Sequence, residues 1–412
     1  MAIDASWVAR RRWLASAAGA WLGWHGIAGA APRSPAGGAA EAANANANAT
    51  PAPRLATAWN DSRGRHFIGL VALAGGRLQI DASIEVPTRA HAVAVEPGGA
   101  VLAVARRPGD WLLRWHPRLA GTRATQWQWA GDERCFTGHT VRSLDGHHVF
   151  TAETDLHSGA GLLVQRDAES LQVLREWPTR GADPHDLQWL PNGRLLVANG
   201  GISTRPETGR AKQALDRMDS SIVEIDPLSG HAGPALRLPD PRLSLRHLAL
   251  HPSGQVAVAL QAEHDDPEAR AQAPVLALLD PTTQSLRSVL PEPVLNLAIL
   301  ETPKLRTPTP DTPMPDTPRG QPPSLQGYGG DVAALPGGWV VSCPRAGQLA
   351  FFALDGSWQG QQPLADACAL AAGGAQAWAS GSQAVVAIGR QGAEPLAAAG
   401  LRIDNHAALW AR

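Results

Sequence analysis

A hairpin motif recurs along the chain, and this repetition constrains the fold more than any other feature of the sequence. Each copy begins at a polar residue, continues as a short apolar strand to a turn rich in Pro, Asp and Gly, and returns as a second apolar strand. The copies begin at His91, His139, His185, His247, Asp331, Asp366 and His406. Successive starts are 48, 46, 62, 84, 35 and 40 residues apart, which indicates a repeated four-stranded unit with two insertions.

The seventh start, His406, has too few residues after it for a return strand. The N-terminal segment Leu55–Asp61 resembles the other return strands, and the apolar segments His66–Val71 and Leu78–Ala82 follow it as third and fourth strands. We therefore predict an all-β fold, a seven-bladed β-propeller closed by pairing of the N- and C-terminal strands in one blade. An eight-bladed ring and a pair of β-sandwiches are the alternatives.

The N-terminal residues 1–30 have the pattern of a twin-arginine signal peptide. Arg10, Arg11 and Arg12 precede an apolar stretch over Ala15–Ile27, and small residues follow it. A short membrane helix is the alternative, but the stretch is shorter than the roughly 20 residues that a membrane span needs. We expect export to the periplasm by the twin-arginine translocase, and no membrane span once the signal is removed.

Two further stretches lack the apolar residues that would offset the entropy of ordering them. Residues 31–54 consist mostly of Ala, Asn, Pro and Gly, and residues 302–326 repeat Thr-Pro and Asp-Thr-Pro units. Such compositions are typical of disordered segments. We therefore predict a linker over 31–54 and a propeller over 55–412 with a disordered insertion at 302–326.

Composition and motifs narrow the possible functions. The chain has 36 Lys and Arg against 37 Asp and Glu, a balance that excludes a typical nucleic-acid binder. It contains no HExxH, G-x-S-x-G, P-loop or dinucleotide-binding motif, which favours a non-catalytic role without excluding an enzyme. The three cysteines have no CxxC spacing, and both a Cys343–Cys368 bridge and buried free thiols remain open.

The repeat predicts where polar side chains gather. In a propeller the innermost strand of each blade lines the axial channel, so the seven repeat starts should form a ring at one mouth of this channel. The second strands end on the same face, and the loops after them add further polar groups. The predicted mouth residues are Asn60, Arg106, Asp155, Asn199, Arg205, Asp216 and Arg345.

Imidazole and carboxylate groups in such a ring are potential ligands for a transition metal, namely Fe, Cu or Zn. A metal–nitrogen bond is about 2.0–2.1 Å long, so only neighbouring members of the ring should reach one ion. The candidate ligands on the most ligand-rich arc are His139, His185, His247, Glu153 and Glu263. The alternative is a ring that only binds water and neighbouring backbone groups.

Several short stretches carry a family resemblance. They include Thr151–Asp155, Gly181–Leu187, Val197–Ile202, Ser244–Leu248 and Asp404–His406. With them the chain from Leu55 onward, apart from the 302–326 insertion, resembles the domain-of-unknown-function 1513 family of exported propellers. The resemblance implies imelysin-like or di-haem periplasmic proteins as partners and a role in bacterial iron uptake. It implies no catalytic residue.

The leading hypothesis is a non-catalytic periplasmic propeller that binds a transition metal, or an iron-handling partner, at a His-rich axial mouth during iron acquisition. One alternative is a metal- or His-dependent lyase or hydrolase of a small molecule, working from the same mouth beside Glu153. The other is a scaffold that docks a neighbouring protein through its broad face.

Overall fold

The structure is a computed structural model that describes residues 53–74, 77–290, 324–373, 376–388, 396–397 and 401–410. The predicted signal peptide, almost all of the predicted linker and residues 302–323 of the predicted insertion lie outside these ranges. The described residues are almost entirely strands and turns, arranged as seven blades. The predicted all-β, seven-bladed β-propeller is confirmed.

Four of the blades are complete four-stranded antiparallel sheets whose strands follow one another in the chain. Blade 1 contains β4 (Ala90–Val95), β5 (Val101–Ala105), β6 (Trp111–Trp115) and β7 (Thr125–Trp129). Blade 2 contains β8 (Arg134–Arg142), β9 (His148–Asp155), β10 (Gly161–Asp167) and β11 (Val173–Pro178). Blade 4 contains β17 (Leu243–Leu250), β18 (Val256–Ala262), β19 (Leu276–Asp280) and β20 (Ser285–Val289). Blade 5 contains β21 (Asp331–Leu335), β22 (Gly338–Cys343), β23 (Gln348–Ala353) and β24 (Trp358–Pro363).

The other three blades carry the irregularities. Blade 3 contains β12 (Pro184–Trp189), β13 (Leu195–Asn199) and β16 (Ser221–Ile225), and isolated bridges such as Ile222↔Leu236 stand in the fourth position. A hairpin of β14 (Ser203–Arg205) and β15 (Gly209–Gln213) is inserted before β16. Blade 6 contains β25 (Leu370–Gly373), β26 (Gln376–Ser380), β27 (Ala384–Ile388) and β28 (Leu396–Ala397). Blade 7 contains β29 (Arg402–Leu409), β1 (Arg54–Asn60), β2 (His66–Ala74) and β3 (Arg77–Val86).

Helices are short and lie in the connections of the described chain. The one α-helix, α1, spans Pro267–Gln272 and begins where the Asp266 side chain accepts a hydrogen bond from the Ala269 amide. Single 3₁₀ turns occupy Gly121–Ala124, Pro206–Thr208 and Leu215–Arg217. None of the helices in the described ranges is long and apolar enough to cross a membrane.

Blade 7 joins the two ends of the chain. The C-terminal β29 is its innermost strand and pairs antiparallel with the N-terminal β1, from Leu55↔Leu409 to Asn60↔Arg402. The innermost strands of all blades contact one another in the order β29, β4, β8, β12, β17, β21 and β25, and β25 contacts β29 again. This pairing confirms the predicted closure and leaves the ring without a free inner edge.

The hydrophobic core lies between neighbouring blades, because the strands are short, apolar and buried on both faces of each sheet. Trp59 of β1 is 2% exposed and packs in one such layer with Leu55, Val71 and Ile403 of its own blade and Val385 of blade 6. A second layer, between blades 4 and 5, is built around Trp339 and Phe352. Each blade therefore depends on both neighbours for burial of its apolar faces.

The end of the interval predicted as a disordered insertion is packed in the core. Leu325 is buried in the layer between blades 4 and 5.

The three cysteines form no disulfide bridge with one another. Cys135, Cys343 and Cys368 are free thiols, and burial raises the pKa of each to about 12. These thiols therefore carry no charge at neutral pH.

Trp59→Ala should lower the free energy of unfolding by about 3–5 kcal/mol, because it removes a large buried side chain from the blade that closes the ring. Trp129→Ala is the matched control, since Trp129 is 45% exposed and its removal leaves no cavity in the core. Thermal unfolding followed by circular dichroism measures both effects. Similar melting temperatures for the two variants would contradict the importance of the closing blade.

Candidate metal centre

Five histidines meet on the channel axis, and each is placed there by an irregularity in the innermost strand of its blade. His91 lies between the pairs Ala90↔Ala105 and Ala92↔Val104, where the register of β4 and β5 shifts. A register shift spanning one to three residues of the innermost strand also occurs in four other blades, at His139, His185, His247 and His406. A β-bulge adds an unpaired residue and redirects its side chain. The bulges therefore explain why these five side chains converge.

The two aspartates predicted as ring members behave differently. The register of β21 with β22 is unbroken from Asp331↔Ser342 onward, so blade 5 has no bulged residue to direct toward the axis. Asp331 instead accepts hydrogen bonds from the Val332 and Leu370 amides. Asp366 precedes β25, in an exposed turn with a φ of 52°. The ring is therefore a cluster of five histidines from five blades, and of the two predicted aspartates only Asp331 contacts it.

The histidine cluster is compact and largely buried. One ring nitrogen from each of His91, His139, His185 and His247 lies within 4.8 Å of the others. His185 Nε2 is 3.1 Å from His91 Nε2 and 2.9 Å from His247 Nε2. The His406 ring centre is 4.4 Å from that of His139 and 4.6 Å from that of His247. Close approach of β8 to β12 is allowed by Gly138, since a Cβ there would lie 1.8 Å from the His185 carbonyl oxygen.

Carboxylates hold two of the histidines in the manner usual for metal ligands. His139 Nδ1 is 3.2 Å from Asp186 Oδ1, and His406 Nδ1 is 3.2 Å from Asp331 Oδ2. In both rings Nε2 is buried and has no hydrogen-bond partner among the described residues. A metal-bound histidine commonly donates its second ring N–H to a carboxylate, which fixes the ring and its tautomer. His139 is therefore the best-oriented candidate ligand of the four, and His406, which is not one of the four, is held in the same way.

His185 is held in the opposite way. Arg246 Nη2 donates a hydrogen bond to His185 Nδ1 at 2.9 Å, so the proton of the neutral ring is on Nε2. That proton can be donated to His91 or His247, whose Nε2 atoms lie within hydrogen-bond distance. Coordination through His185 Nε2 would require its loss. His185 is therefore a weaker metal ligand than His139 or His406 in this arrangement.

Burial keeps four histidines of the cluster neutral. It lowers the pKa of His91, His139, His185 and His247 well below the usual 6.5, and neighbouring histidine and arginine charges lower these pKa values further. Burial also raises the pKa of Asp186 to about 7. Neutral imidazole is the form that binds metals, so the four rings are ready to act as ligands at neutral pH.

The two predicted carboxylate ligands are used elsewhere. Glu153 accepts hydrogen bonds from Arg166 Nη2 at 2.6 Å and from the Thr151 hydroxyl. Glu263 pairs with Lys212 Nζ at 2.5 Å, which ties the inserted β14–β15 hairpin to the residue after β18 of blade 4. Their charges are already balanced by cations. Both glutamates therefore form ion pairs with cationic side chains, and the candidate ligands at the cluster are imidazoles.

An open cavity of about 560 Å³ lies against the cluster. His91, His185 and His247 line it, together with the predicted mouth residues Arg106 and Arg345. The other lining residues are Arg107, Arg246, Gln261, Tyr328, Gly330, Pro344, Asp366, Cys368 and Asn405. The cavity therefore combines imidazoles, guanidinium groups and neutral polar groups.

The remaining predicted mouth residues do not line this cavity. Asp155 and Arg205 line a separate cavity of about 110 Å³, and Asn199 is buried, where its side chain donates to the Thr179 carbonyl. Asp216 is exposed beside Arg217, and Asn60 contacts His66 Nδ1 at 2.7 Å. The predicted mouth is thus divided into an axial cavity and peripheral sites.

Sequence reasoning missed the residues that orient the cluster. Asp183 Oδ2 accepts hydrogen bonds from Arg246, at 2.6 Å, and from Arg107. Both Asp183 and Asp186 flank His185, and Arg246 directly precedes His247. Their adjacency to repeat-start histidines was the available signal, but whether such neighbours face the axis depends on the bulge.

Several solved structures are similar to this chain at low sequence identity. Hydrazine synthase of Kuenenia stuttgartiensis is 13% identical, with a TM-score of 0.52, and the match covers 86% of this chain and 99% of that one. Apo AztD of Citrobacter koseri is 11% identical, with a TM-score of 0.44, and the match covers 88% and 99%. The PQQ-bound aldose sugar dehydrogenase of Streptomyces coelicolor is 14% identical, with a TM-score of 0.41, and the match covers 72% and 89%. No curated protein matches significantly.

A family profile matches residues 84–296 and 305–410, which together form most of the chain. This match includes the innermost strands that carry His91, His139, His185, His247 and His406. It also confirms the resemblance carried by the short stretches of sequence. The chain belongs to the protein family of unknown function DUF1513.

Proposed function

We propose that this protein is an exported periplasmic propeller that binds a transition metal at its axial histidine cluster and takes part in bacterial iron acquisition without catalysing a reaction. The observation that carries the metal site is the convergence of imidazoles from separate blades, with ring nitrogens within 4.8 Å of one another. Among these rings, His139 Nε2 is buried and has no hydrogen-bond partner among the described residues. A bound cation would satisfy it.

The donor set narrows the choice of metal. Neutral imidazoles suit Zn, Cu and Fe and are poor ligands for Mg or Ca, which prefer oxygen. The family resemblance supports iron over the other two, since it implies imelysin-like or di-haem proteins as partners. Export is proposed from the arginine and apolar pattern of residues 1–30, and it would place the cluster in the compartment where those partners work.

His139→Ala should abolish stoichiometric metal binding, because it removes the ligand whose Nδ1 is held by Asp186. His185→Ala should weaken binding less, because Arg246 keeps His185 in the less suitable tautomer. The double variant His139→Ala/His185→Ala should retain no metal. Elemental mass spectrometry of protein exported by its own signal, and titration of the metal-free protein with Zn²⁺ and Fe²⁺, measure these effects.

His251→Ala is the matched control for these variants. His251 is also a buried histidine of blade 4, but it follows the far end of β17 and contacts Ser253 and Trp339. The His251→Ala variant should bind metal as the unaltered protein does. If the native protein carries no more metal than the double variant, the metal site does not exist.

The stability of the metal-free protein should fall as the pH is lowered below about 6.5. Four cluster histidines have pKa values lowered by burial, so the unfolded chain binds protons that the folded chain does not. The raised pKa of Asp186 acts in the opposite direction, but it is one group against four. Replacing one cluster histidine, as in His247→Leu, should reduce the dependence by up to about 1.4 kcal/mol per pH unit. Unfolding melts between pH 5 and 7.5 test this, and an unchanged slope in the variant would contradict it.

A lyase or hydrolase is the second candidate, favoured by the open cavity of about 560 Å³ beside the cluster. A metal on the imidazoles would act there as a Lewis acid toward a small molecule. This candidate requires turnover of a substrate that His139→Ala abolishes. A binding protein would show saturable binding with no product.

A further inference from the structure

The cavity beside the histidine cluster is a cationic well. Four of its lining residues are arginines, namely Arg106, Arg107, Arg246 and Arg345. Among the described residues that line it, Asp366 has the one carboxylate group. We call this cavity the arginine well. Guanidinium groups present planar pairs of N–H donors that match the two oxygens of a carboxylate or phosphate. Such a lining favours an anionic ligand.

The inner wall of the well is fixed before any ligand binds. Arg107 and Arg246 are 7% and 2% exposed, and both donate to the single oxygen Oδ2 of Asp183. One carboxylate thus serves two guanidinium groups, so a positive charge remains. Burial and the Arg107 charge lower the pKa of Arg246 to about 10, which still leaves Arg246 cationic at neutral pH. Preorganised charges of this kind cost little to use in binding.

The outer wall is more accessible. The Arg345 guanidinium lies over the Tyr328 ring, with 4.3 Å between its central carbon and the ring centre. Arg345 is exposed and forms no ion pair with a carboxylate of the described residues. Gln261 and Asn405 add neutral amide groups to the lining. The outer arginine therefore has N–H groups available to a ligand.

Size and position define the class of ligand. A volume of about 560 Å³ is in the usual range for small-molecule sites and exceeds the needs of one inorganic phosphate. His91, His185 and His247 line the same cavity, so a ligand in the well lies beside the metal cluster. A cation bound close to several guanidinium groups is repelled by them, and an anion beside it reduces this repulsion. An anion with oxygen atoms at both ends could pair with the arginines at one end and coordinate the metal at the other.

We propose that the arginine well binds a small di- or tricarboxylate that also coordinates the metal on the histidine cluster, so that the protein holds the metal as an anionic chelate. The coordination of a metal by this anion rests on the proposed function. The binding of the anion itself depends only on the arginines. The carboxylate groups pair with Arg345 and the inner arginines. The neutral histidines supply the remaining ligands.

The anion half is tested first on metal-free full-length protein, with citrate as the probe, by isothermal titration calorimetry at low salt. Citrate should bind to one site. Arg345→Gln should weaken binding at least about tenfold, the effect expected for losing a hydrogen bond between charged groups. Arg118→Gln is the matched control, because Arg118 is also exposed and lies over an aromatic ring, that of Trp410, outside the well.

The metal half is tested by native mass spectrometry with Zn²⁺ and citrate together. The expected species contains one protein, one zinc ion and one citrate. His139→Ala should lose the zinc and still bind citrate, whereas Arg345→Gln should bind zinc and lose most of the citrate. These opposite losses separate failure of the anion site from failure of the metal site.

Three results would overturn the proposal. The first is that the metal-free protein binds no citrate, or that Arg345→Gln and Arg118→Gln lose citrate affinity equally. The second is binding of inorganic phosphate as tight as that of citrate, which would show a general anion site. The third is citrate that removes zinc from the protein without forming the ternary species.

Discussion

The pairing of β1 with β29 is the interaction on which the rest of the molecule depends. It joins residues more than 340 positions apart, as in the contact of the Thr57 hydroxyl with the His406 carbonyl at 3.0 Å. Each blade buries its apolar faces against two neighbours, so an open ring would expose two faces at once. The same pairing brings His406 beside His91 and His139. Closure thus supplies both the fold and the last member of the histidine cluster.

The cluster also depends on departures from regular pairing. Five innermost strands contain a register shift at a histidine, and the innermost strands of blades 5 and 6 continue in unbroken register. A side chain in a regular strand points to one face of its sheet, toward a neighbouring blade, whereas a bulged residue turns toward the axis. Asp331 lies in a strand without a bulge, so it does not point to the axis like the histidines. It supports His406 through a hydrogen bond instead.

The electrostatics of the mouth follow from burial. Imidazoles packed together and close to Arg246 lose their protons, because the charged forms would be desolvated and would repel one another. The arginines cannot lose theirs, so they pair with Asp183 or face the cavity. In the proposed sites, a metal on the neutral imidazoles and an anion beside the fixed cations would stabilise each other. This coupling links the metal proposal to the arginine well.

The repeat of hairpins was enough to predict seven blades, their closure and the identity of the axial histidines, because strand period and turn chemistry are local properties of a sequence. Local patterns could not show that Glu153 and Glu263 pair with Arg166 and Lys212, since such partners are set by packing of separate blades. Nor could they show that Asp366 lies outside the cluster, or that Arg246 and Asp183 orient it. Those outcomes depend on bulges and on long-range contacts, which exist only once the ring has closed.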